Sequence, residues 1–463
     1  MPISMLNETR DVIDAVAGKC DSRSLFLDRF ADPQAKDTKE STPRKDWFGR
    51  LIGKKHADSH SATDWLPAQA HRVHARLMGR LMVNMSGGVM EHANLLIDRY
   101  GLPTIPGSAV KGCARRMALQ ALHDWVGAGT ARPAEDDACA PSCEGFASPA
   151  EMLAAIARVF GWVEKDWESG QKDGLYLSDL GWACGDQHAQ IWKAAAVLLA
   201  QRLGWKEPSG ETPWKALPSF TGTIAFLAAS PNRDPGLELD VLTPHHKEYY
   251  EGKLRVATDT EDPVPVFFPA IKPQKEGDYF TFPLIPMRRA IESDLVYARR
   301  WLAAGLETFG VGAKTNAGYG WFDASEELNS TVLRSIEDQK DLLRAENDRK
   351  VREALDAAEQ EVRRAAKEAL RRELDGLTPD QQEDKKIEIL NDSQFDTKVA
   401  AFCKEPKKGG PTEEEKKAIV RTLRGVRLAY WQTFKTKATK GPLATVDQAI
   451  RALNKQLHGD KMP

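Results

Sequence analysis

Residues 310–320 read GVGAKTNAGYG and combine four glycines with a lysine, a threonine and an asparagine. This spacing excludes a Walker A loop, because that motif has glycine directly before its Lys-Ser/Thr pair and Ala313 stands there. It also excludes a dinucleotide fingerprint, because the third glycine position of that motif holds Thr315. A glycine-rich loop lets the backbone approach a polyanion closely, and Lys314 would add positive charge. The pattern therefore indicates either a polyanion-binding loop or a tight turn that closes a domain.

A second candidate is the stretch GLPTIPGSAVKG at residues 101–112, which precedes a helical pattern. Pro106 holds the residue before it in an extended conformation, and Gly107 can adopt backbone angles closed to other residues. Ser108 then occupies a helix N-cap position, where free backbone N–H groups suit a phosphate. The basic residues of the first two turns are Lys111, Arg115 and Arg116. The stretch predicts a phosphate-binding helix start or, equally, a capped helix whose basic residues face water.

Residues 240–250, DVLTPHHKEYY, place two histidines and two tyrosines beside a proline. His245 and His246 are adjacent, so on an extended chain they point in opposite directions and chelate one metal poorly. One of them could act as a general acid or base, but the sequence assigns it no carboxylate or nucleophile partner. Rings such as those of His245 and Tyr249 are more typical of base stacking or of loop shaping than of catalysis.

Four potential zinc ligands occur as two pairs, Cys139-x3-Cys143 and Cys184-x3-His188. On a helix the second pair would share one face. Neither pair has the Cys-x2-Cys spacing that is usual for zinc sites, and isolated cysteines commonly fill cores. We expect free thiols here and no metal or cofactor, with a zinc site as the alternative.

Residues 416–445 contain no acidic residue and carry eight lysines and arginines around Tyr430 and Trp431. Such a basic helical face could contact an RNA backbone. It could also pair with the acidic helices that precede it in the chain, and this second interpretation is preferred.

The whole chain has 463 residues, a net charge of −2 and 29% charged residues, which is typical of a globular protein of two or three domains. Because the net charge is close to zero, an anionic partner must be met by local basic patches. No apolar run approaches the ~20 residues that span a bilayer, and acidic residues interrupt the first thirty positions. We therefore expect neither a membrane protein nor a signal peptide. Six cysteines in a chain of this length predict a reducing, cytoplasmic location rather than a disulfide framework.

Hydrophobic periodicity predicts strands and helices without a regular βαβ repeat, which favours an α+β fold. A polar stretch at 31–64 predicts a loop or arm. The predicted strands lie within residues 74–90, 220–229, 264–270, 279–285 and 318–322. The predicted helices are residues 110–125, 149–160, 187–203 and 290–306. A charged helix with a narrow apolar stripe covers residues 341–375, and further helices begin at Thr378 and Thr412.

These elements divide the chain into a core, an insertion and a tail. The predicted divisions are residues 1–70 as an N-terminal arm with the first core elements, 71–127 as the first part of the core, 128–215 as a helical insertion beside the main sheet, 216–325 as the second part of the core with the glycine-rich loop, and 326–463 as a charged helical extension.

Three of these motifs follow one another in a fixed order: IPGSAVKG with its arginine pair, DVLTPHHKEYY and GVGAKTNAGYG. In that order, across residues 101–322, the sequence resembles the RAMP superfamily of CRISPR proteins and, within it, the sixth-subunit family of type III-B (Cmr) effector complexes. The strand-like PVPVFF at residues 263–268 is also similar to that family. The resemblance does not extend to the insertion or to the tail.

The resemblance implies an RRM-like (ferredoxin-like) core in a non-catalytic subunit that binds guide RNA (crRNA) through its phosphates while base pairing reads the sequence. It implies as partners the crRNA, the target RNA and other RAMP subunits, including the repeated backbone subunit and a subunit near the guide 3′ end. The two glycine-bearing turns would converge in space to hold the RNA strand. The expected RNA contacts are Gly107, Ser108, Lys111, Arg115, Arg116, His245, Tyr249, Gly310, Gly312, Lys314, Thr315, Asn316, Gly318 and Tyr319.

Two rival hypotheses remain open. The first is a RAMP endoribonuclease that processes guide RNA with His245 or His246 as acid or base, and a cutting role for Asp240 is also left open. The second treats the tail as a docking module for an unrelated protein.

Overall fold

The computed structural model describes residues 19–29, 42–54, 66–67, 70–85, 95–129, 140–243, 245–258 and 265–463. The chain divides into two compact units, one running to Asp338 and the other covering Gln339–Pro463. In chain order, the elements of the first unit are α1 (Arg23–Arg29), α2 (Pro43–Ile52), β1 (His71–Leu77), α3 (Gly107–Gly127), α4 (Ala140–Cys143), α5 (Pro149–Phe160), β2 (Gln171–Lys172), β3 (Leu175–Tyr176), α6 (Asp179–Cys184), α7 (His188–Leu203), β4 (Ile224–Phe226), β5 (Ser230–Pro231), β6 (Leu237–Leu242), α8 (Lys247–Tyr250), β7 (Val266–Ile271), β8 (Phe280–Pro286), α9 (Glu292–Thr308) and β9 (Phe322–Asp323). Helix α10 (Glu326–Leu374) begins in the first unit, and the second unit then contains α11 (Pro379–Glu388), α12 (Asp392–Ala400), α13 (Glu413–Arg424), α14 (Leu428–Lys437) and α15 (Pro442–His458).

The first unit is built around a five-stranded antiparallel sheet. Its strands follow the order β4–β8–β1–β9, and the short β5 also pairs with β8. In the central pair the register places His71 opposite Leu284 and Ala75 opposite Phe280. Without β5 and the separate β6–β7 hairpin, the order along the chain is β1–α3–β4–β8–α9–β9. The prediction of a mixed α+β fold is therefore confirmed.

Helices α3 and α9 pack against each other, and α9 contacts strands β1, β4, β8 and β9. Successive strand residues point to opposite faces of a sheet. The alternate residues buried in one core with these helices are Val73, Ala75 and Leu77 of β1 and Phe280, Phe282 and Leu284 of β8. The helical layer therefore covers one face of the sheet.

A side chain substitutes for a strand at the β9 edge of this sheet. Strand β9 pairs with only two residues of β1. Beyond it, Asn329 Oδ1 at the start of α10 accepts a hydrogen bond from the His74 backbone N–H at 2.8 Å. The Asn329 Nδ2 group donates to the carbonyl oxygens of Ala324 and Ser325, both at 3.1 Å. The amide therefore bonds to the chain on both sides and fixes the start of α10 against the sheet.

The His74 ring is buried among residues of the sheet, with only 1% of the residue exposed. Its Nδ1 atom lies 3.2 Å from Thr281 Oγ1, and the ring packs edge-on against Tyr279. Burial, and then the charges of Arg72 and Arg299, lower the pKa of His74 to about 4. The folded chain therefore holds this histidine neutral at neutral pH.

The polar stretch at residues 31–64, predicted as a loop or arm, contains a helix that joins the core. Helix α2 occupies its middle part and has a proline at its first position, which suits a helix start. The side chains that α2 buries are Trp47, Phe48 and Leu51. These three apolar residues, four and three apart, are sufficient to form an amphipathic face, so the loop prediction was wrong here.

The insertion packs on the helical layer and also reaches the β4 edge of the sheet, where the Thr223 N–H donates to the Arg158 carbonyl oxygen at 2.8 Å. Helices α5 and α6 contact α3, and α4 and α5 contact α9. Arg158 of α5 and Asp294 of α9 form an ion pair in which Nη2 and Oδ2 lie 2.7 Å apart. The predicted helices at residues 149–160 and 187–203 are confirmed by α5 and α7.

Several predicted strands are shorter or interrupted. The predicted strand at 74–90 ends at Leu77, and its Gly87-Gly88 turn lies outside the described residues. The predicted strand at 318–322 is reduced to β9 because a three-ten turn at Thr315–Ala317 precedes it. Strand β6, which no strand prediction covered, pairs with β7 from Leu237 opposite Ile271 to Leu242 opposite Val266.

Helix α10 begins at Glu326, well before the predicted 341. Val351, Leu355 and Val362 of its apolar stripe are all at least half exposed. The stripe is therefore not covered by any part of the chain that the structure describes. No described helix, α10 included, is both long and apolar enough to span a membrane.

Helices α11 to α15 enclose a separate apolar core in the second unit. Its largest fully buried side chains are Phe395 and Trp431. Arg421 pairs with Asp384 at 2.7 Å, and Arg427 pairs with Asp392 at the same distance. Part of the basic stretch 416–445 is thus neutralised by the acidic helices before it, as the preferred interpretation predicted.

Candidate nucleic-acid interface

The glycine-rich loop 310–320 connects the end of α9 to β9. Its four glycines all have φ between +67° and +100°, in the left-handed region that favours glycine. The requirement is strictest at Gly320, where a Cβ atom would overlap the carbonyl oxygen of Val311. The residue types of this loop therefore specify its compact path.

Backbone hydrogen bonds hold the loop against the segment that follows β1. The Gly320 N–H donates to the Arg80 carbonyl oxygen at 2.6 Å, and the Ala313 N–H donates to the Met82 carbonyl oxygen at 2.8 Å. The backbones approach so closely that a Cβ atom on Gly312 would overlap the same Met82 oxygen. The loop is thus fixed at both its first and its last turn.

The tip of the loop exposes backbone donors beside a lysine. Lys314 has φ +62°, a left-handed conformation that is uncommon for a residue with a side chain. The N–H groups of Thr315 and Asn316 that follow it donate to no acceptor within the described ranges. Asn316 and Gly318 are exposed. Successive free N–H groups of this kind form a concavity that binds anions.

The Lys314 side chain folds onto the hairpin rather than extending into solvent. Its Nζ lies 4.6 Å from the centre of the Phe268 ring on β7. The same positive charge contributes to lowering the pKa of Asp240 on β6. Lys314 therefore links the loop tip to the β6–β7 hairpin.

Asp240 is fully engaged in a polar network. Arg80 Nη1 donates to its Oδ2 at 2.9 Å and also pairs with Glu238, and the Tyr319 hydroxyl donates to Asp240 as well. Burial acts to raise the pKa of Asp240, but the hydrogen bonds from Tyr319 and the Val241 N–H and the charges of Arg80 and Lys314 lower it below its ordinary value. The carboxylate is therefore held ionised by neighbouring side chains, which argues for a structural role.

The start of α3 differs from the prediction in one respect. The helix begins at Gly107 with Pro106 as its N-cap residue, and no side chain caps it. Ser108 is an exposed residue inside the first turn, so its predicted N-cap role is wrong. A Cβ atom on Gly107 would overlap the Phe226 carbonyl oxygen. Close contact with β4, rather than a serine cap, therefore sets where this helix starts.

The basic residues of α3 face acidic residues of the insertion. Arg115 pairs with Asp179 at the start of α6 and with Asp166 at 3.5 Å. Burial and, to a smaller extent, the charge of Arg115 lower the pKa of Lys111. The negative charge of Asp166 acts in the opposite direction but does not reverse the shift. The sequence could not indicate these partners, because they lie more than forty residues away in the chain.

Helix α3 passes the base of the loop at Cys113 and Arg116, beyond the glycine-bearing turn at which the helix starts. Cys113 Sγ donates to the Gly310 carbonyl oxygen at 3.5 Å, and burial keeps this thiol protonated by raising its pKa to about 12. The Arg116 guanidinium lies 4.1 Å from the centre of the Phe309 ring. The structure thus brings α3 to the base of the loop, whereas the loop tip lies against the segment after β1 and the β6–β7 hairpin.

His245 and Tyr249 lie on the connection between β6 and β7, and both are exposed. The rings of His245 and His246 are 6.5 Å apart and tilted by 54°, and Tyr249 packs edge-on against Tyr250. Within the described part of this connection, no carboxylate or nucleophile hydrogen-bonds to the His245 ring. The arrangement suits ring stacking better than acid–base chemistry.

The three candidate zinc ligands that the structure describes, Cys143, Cys184 and His188, do not form a metal-binding group. Cys143 Sγ donates to the Ala121 carbonyl oxygen, and the His188 ring bonds to the Gly185 carbonyl oxygen. Burial raises the pKa of the Cys184 thiol to about 12. Cys139 lies outside the described residues, and among those described no three potential ligands form a metal-binding group.

Two residues at the loop were missed from the sequence, Arg80 and Phe268. Arg80 follows a glycine directly after a strand, a position at which side chains commonly gather beside a site. Phe268 had been assigned only to a strand, and nothing in its spacing signals a lysine partner.

The RAMP superfamily model matches residues 51–323, which is more than half of the chain. A relative from Pyrococcus furiosus, the CRISPR system Cmr subunit Cmr6, is 25% identical over 259 residues. That alignment covers 53% of this chain and 65% of the relative, so the chain spans less than two thirds of the relative's length.

Two solved structures are also similar. A cryo-EM structure of the type III-B Cmr-beta bound to cognate target RNA matches 69% of this chain and 90% of its own chain, with 15% identity and a TM-score of 0.34. The crystal structure of Cmr6 from Pyrococcus furiosus matches 55% of this chain and 98% of its own, with 21% identity and a TM-score of 0.25.

Proposed function

The chain belongs to the RAMP superfamily, and from this premise we propose that it is a non-catalytic, guide-RNA (crRNA)-binding subunit of a type III-B (Cmr) CRISPR effector. The similarity to the Cmr6 subunit of Pyrococcus furiosus supports the assignment to this complex. Its partners would be the crRNA with its target RNA, the repeated backbone subunit and another RAMP subunit near the guide 3′ end.

An RRM-like (ferredoxin-like) core is part of the proposal. The chain order β1–α3–β4–β8–α9–β9 is that of a βαββαβ unit, with the two inner strands β1 and β8 adjacent. The insertion between α3 and β4 and the extension after β9 would be additions to that unit.

One arrangement carries the proposal: next to Lys314, on a rigid support, the loop 310–320 presents the N–H groups of Thr315 and Asn316, which donate to no acceptor in the described part of the chain. The support is the backbone of residues 80–82 and the β6–β7 hairpin. A phosphodiester backbone could be held there without contact to base edges, so binding would not depend on RNA sequence.

The non-catalytic part of the proposal rests on Asp240 and His245. The Asp240 carboxylate is engaged by Arg80 and Tyr319, which leaves it poorly placed to activate a water or a ribose hydroxyl. His245 has no carboxylate to orient it in the part of the chain that the structure describes. Neither residue has the setting that an endoribonuclease needs.

The test replaces Lys314 by asparagine, which removes the charge but tolerates the left-handed backbone. With a single-stranded RNA of guide length and the full chain, we expect the Lys314→Asn variant to bind several-fold more weakly at low salt. The slope of log affinity against log salt should become shallower by about 0.7, the value for one phosphate contact on a single strand.

The matched control is Lys275→Asn, because Lys275 is exposed in the turn between β7 and β8 and its replacement removes the same charge. Circular dichroism and thermal melting check that both variants are folded. Equal affinities and equal salt slopes for the two variants would refute the role of the loop.

A further inference from the structure

The second unit is basic over its last part. Residues 397–461 contain fifteen lysines and arginines and only six aspartates and glutamates. Acidic residues neutralise all four arginines of this segment: Arg421, Arg424, Arg427 and Arg451 pair with Asp384, Asp460, Asp392 and Asp447. The excess of positive charge is therefore carried by lysines.

Six of these lysines lie in or next to two turns that lie side by side, with Lys435 and Lys437 in the last helical turn of α14. The first turn follows α12 and the second connects α14 to α15. Cys403, in the first turn, contacts the start of α15, which directly follows the second turn. Its Sγ donates to the carbonyl oxygen of Thr445 in that helix. We call the six residues the lysine turns, and they are Lys404, Lys407, Lys408, Lys435, Lys437 and Lys440.

The charge of the lysine turns is almost unopposed. Five of the six residues are exposed and Lys435 is half-buried. Among the residues that the structure describes, the one ion pair of these lysines joins Lys408 to Glu405 at 3.3 Å, with both side chains more than 70% exposed. An exposed pair of this kind is weak, so the local positive potential persists.

The start of α15 adds to this potential. The helix has 17 residues, no acidic residue in its first turn and no side-chain cap. Its N-terminal dipole therefore remains positive, and Lys440 directly precedes its N-cap Gly441. The start of α13, in contrast, carries three glutamates in its first turn.

We propose that the lysine turns bind the phosphodiester backbone of single-stranded RNA, as a second contact separate from the glycine-rich loop. Lysine binds phosphate as a mobile point charge, and the arginines of this segment are already engaged by carboxylates. Lysine is also depleted in protein–protein interfaces. Because the aromatic residues beside these lysines, Phe402 and Phe434, are buried and offer no ring on which bases could stack, binding there is independent of RNA sequence.

The test removes three charges from the second turn of the full chain, with Lys435→Gln, Lys437→Gln and Lys440→Gln combined. The matched control removes three exposed charges from the insertion, with Lys193→Gln, Lys206→Gln and Lys215→Gln. Binding of a 30-nucleotide oligouridylate is measured at several salt concentrations. We expect the first variant to lower affinity at least tenfold at low salt and to flatten the salt slope by about 2, since each contact contributes about 0.7.

The same measurement in the Lys314→Asn background separates this site from the loop. If RNA binds the lysine turns but not the glycine-rich loop, the triple lysine variant changes the salt slope and Lys314→Asn does not. If the triple variant and its control have the same slope in both backgrounds, the proposal is overturned.

A second readout uses Cys403, which is exposed within the first turn. In a variant with Cys20→Ser and Cys139→Ser, the other thiols described are buried, so a maleimide reports on Cys403. We expect oligouridylate to slow its alkylation, and the triple lysine variant to lose this protection. Protection by polyglutamate but not by oligouridylate would identify an acidic protein as the ligand and overturn the proposal.

Discussion

Arg158 and Asp294 form an ion pair 2.7 Å long, and each side chain is only 2% exposed. Arg158 belongs to the insertion and Asp294 to the first turn of α9, where it also accepts a hydrogen bond from the Ile291 N–H. The pair therefore joins the insertion to the helical layer that covers the sheet. The insertion is part of the core of this unit and not an independent appendage.

Replacing Arg158 by alanine should lower the free energy of unfolding of the first unit by about 3–5 kcal/mol, because it leaves the Asp294 charge buried without its partner. Urea denaturation followed by tryptophan fluorescence measures the change. Lys253→Ala, which breaks an exposed pair with Glu251, is the control and should change the free energy of unfolding little. Similar losses for both variants would show that the buried pair has no special role.

Stability should fall as the pH decreases from about 6.5 to about 4, because the unfolded chain then binds a proton at His74 that the folded chain does not. The pKa of His74 is lower in the folded chain than in the unfolded chain. Its contribution to the free energy of unfolding is therefore complete above the unfolded pKa and is lost as the pH falls to the folded pKa. The total is about 3 kcal/mol. Melting temperatures of the wild type and of His74→Gln between pH 4 and 8 test this. A variant with an equally steep pH dependence would contradict it.

Two glycine substitutions separate close contact from backbone strain in the loop. Gly320 and Gly318 both have positive φ, but a Cβ atom would overlap the Val311 oxygen only at Gly320. We expect Gly318→Ala to cost about 1–2 kcal/mol and to keep RNA binding. Gly320→Ala should cost more and weaken RNA binding at least as much as Lys314→Asn does, since the loop must leave its support. Thermal melting and RNA titration of both variants measure this, and equal effects would argue against a loop held by close packing.

The purified chain should leave CRISPR-repeat RNA intact, with Mg²⁺ or with EDTA, because His245 has no described partner that could orient it. Denaturing gels of the RNA after incubation measure cleavage. Cleavage that is lost in a His245→Ala or His246→Ala variant would instead establish the endoribonuclease hypothesis.

The sequence predicted the elements whose signals are local. The helical period predicts a helix from Pro149 to Phe160, which α5 matches, and the structure adds a Ser148 N-cap at its start. The loop 310–320 was recognised because its glycines are required by its own backbone. Strand order, by contrast, depends on pairs such as His71 with Leu284, which are separated by more than two hundred residues.

The roles of charged residues depended on partners that are distant in the chain. Arg115 was expected to contact RNA, but Asp166 and Asp179 of the insertion lie next to it. Asp240 could be interpreted only once Arg80 and Tyr319 were placed beside it. Residue type and spacing indicate a candidate cation or anion, and the fold then determines what compensates its charge.

The amide of Asn329 gives the sheet a protected border. An open strand edge invites another extended segment to add to it, and natural proteins block such edges to avoid aggregation. Asn329 accepts a hydrogen bond from the His74 N–H, and its own amide donates to the carbonyl oxygens of residues 324 and 325. The His74 N–H is therefore not available to an incoming strand. Growth of the sheet therefore stops at the start of α10, and this border stays closed to intermolecular β-pairing.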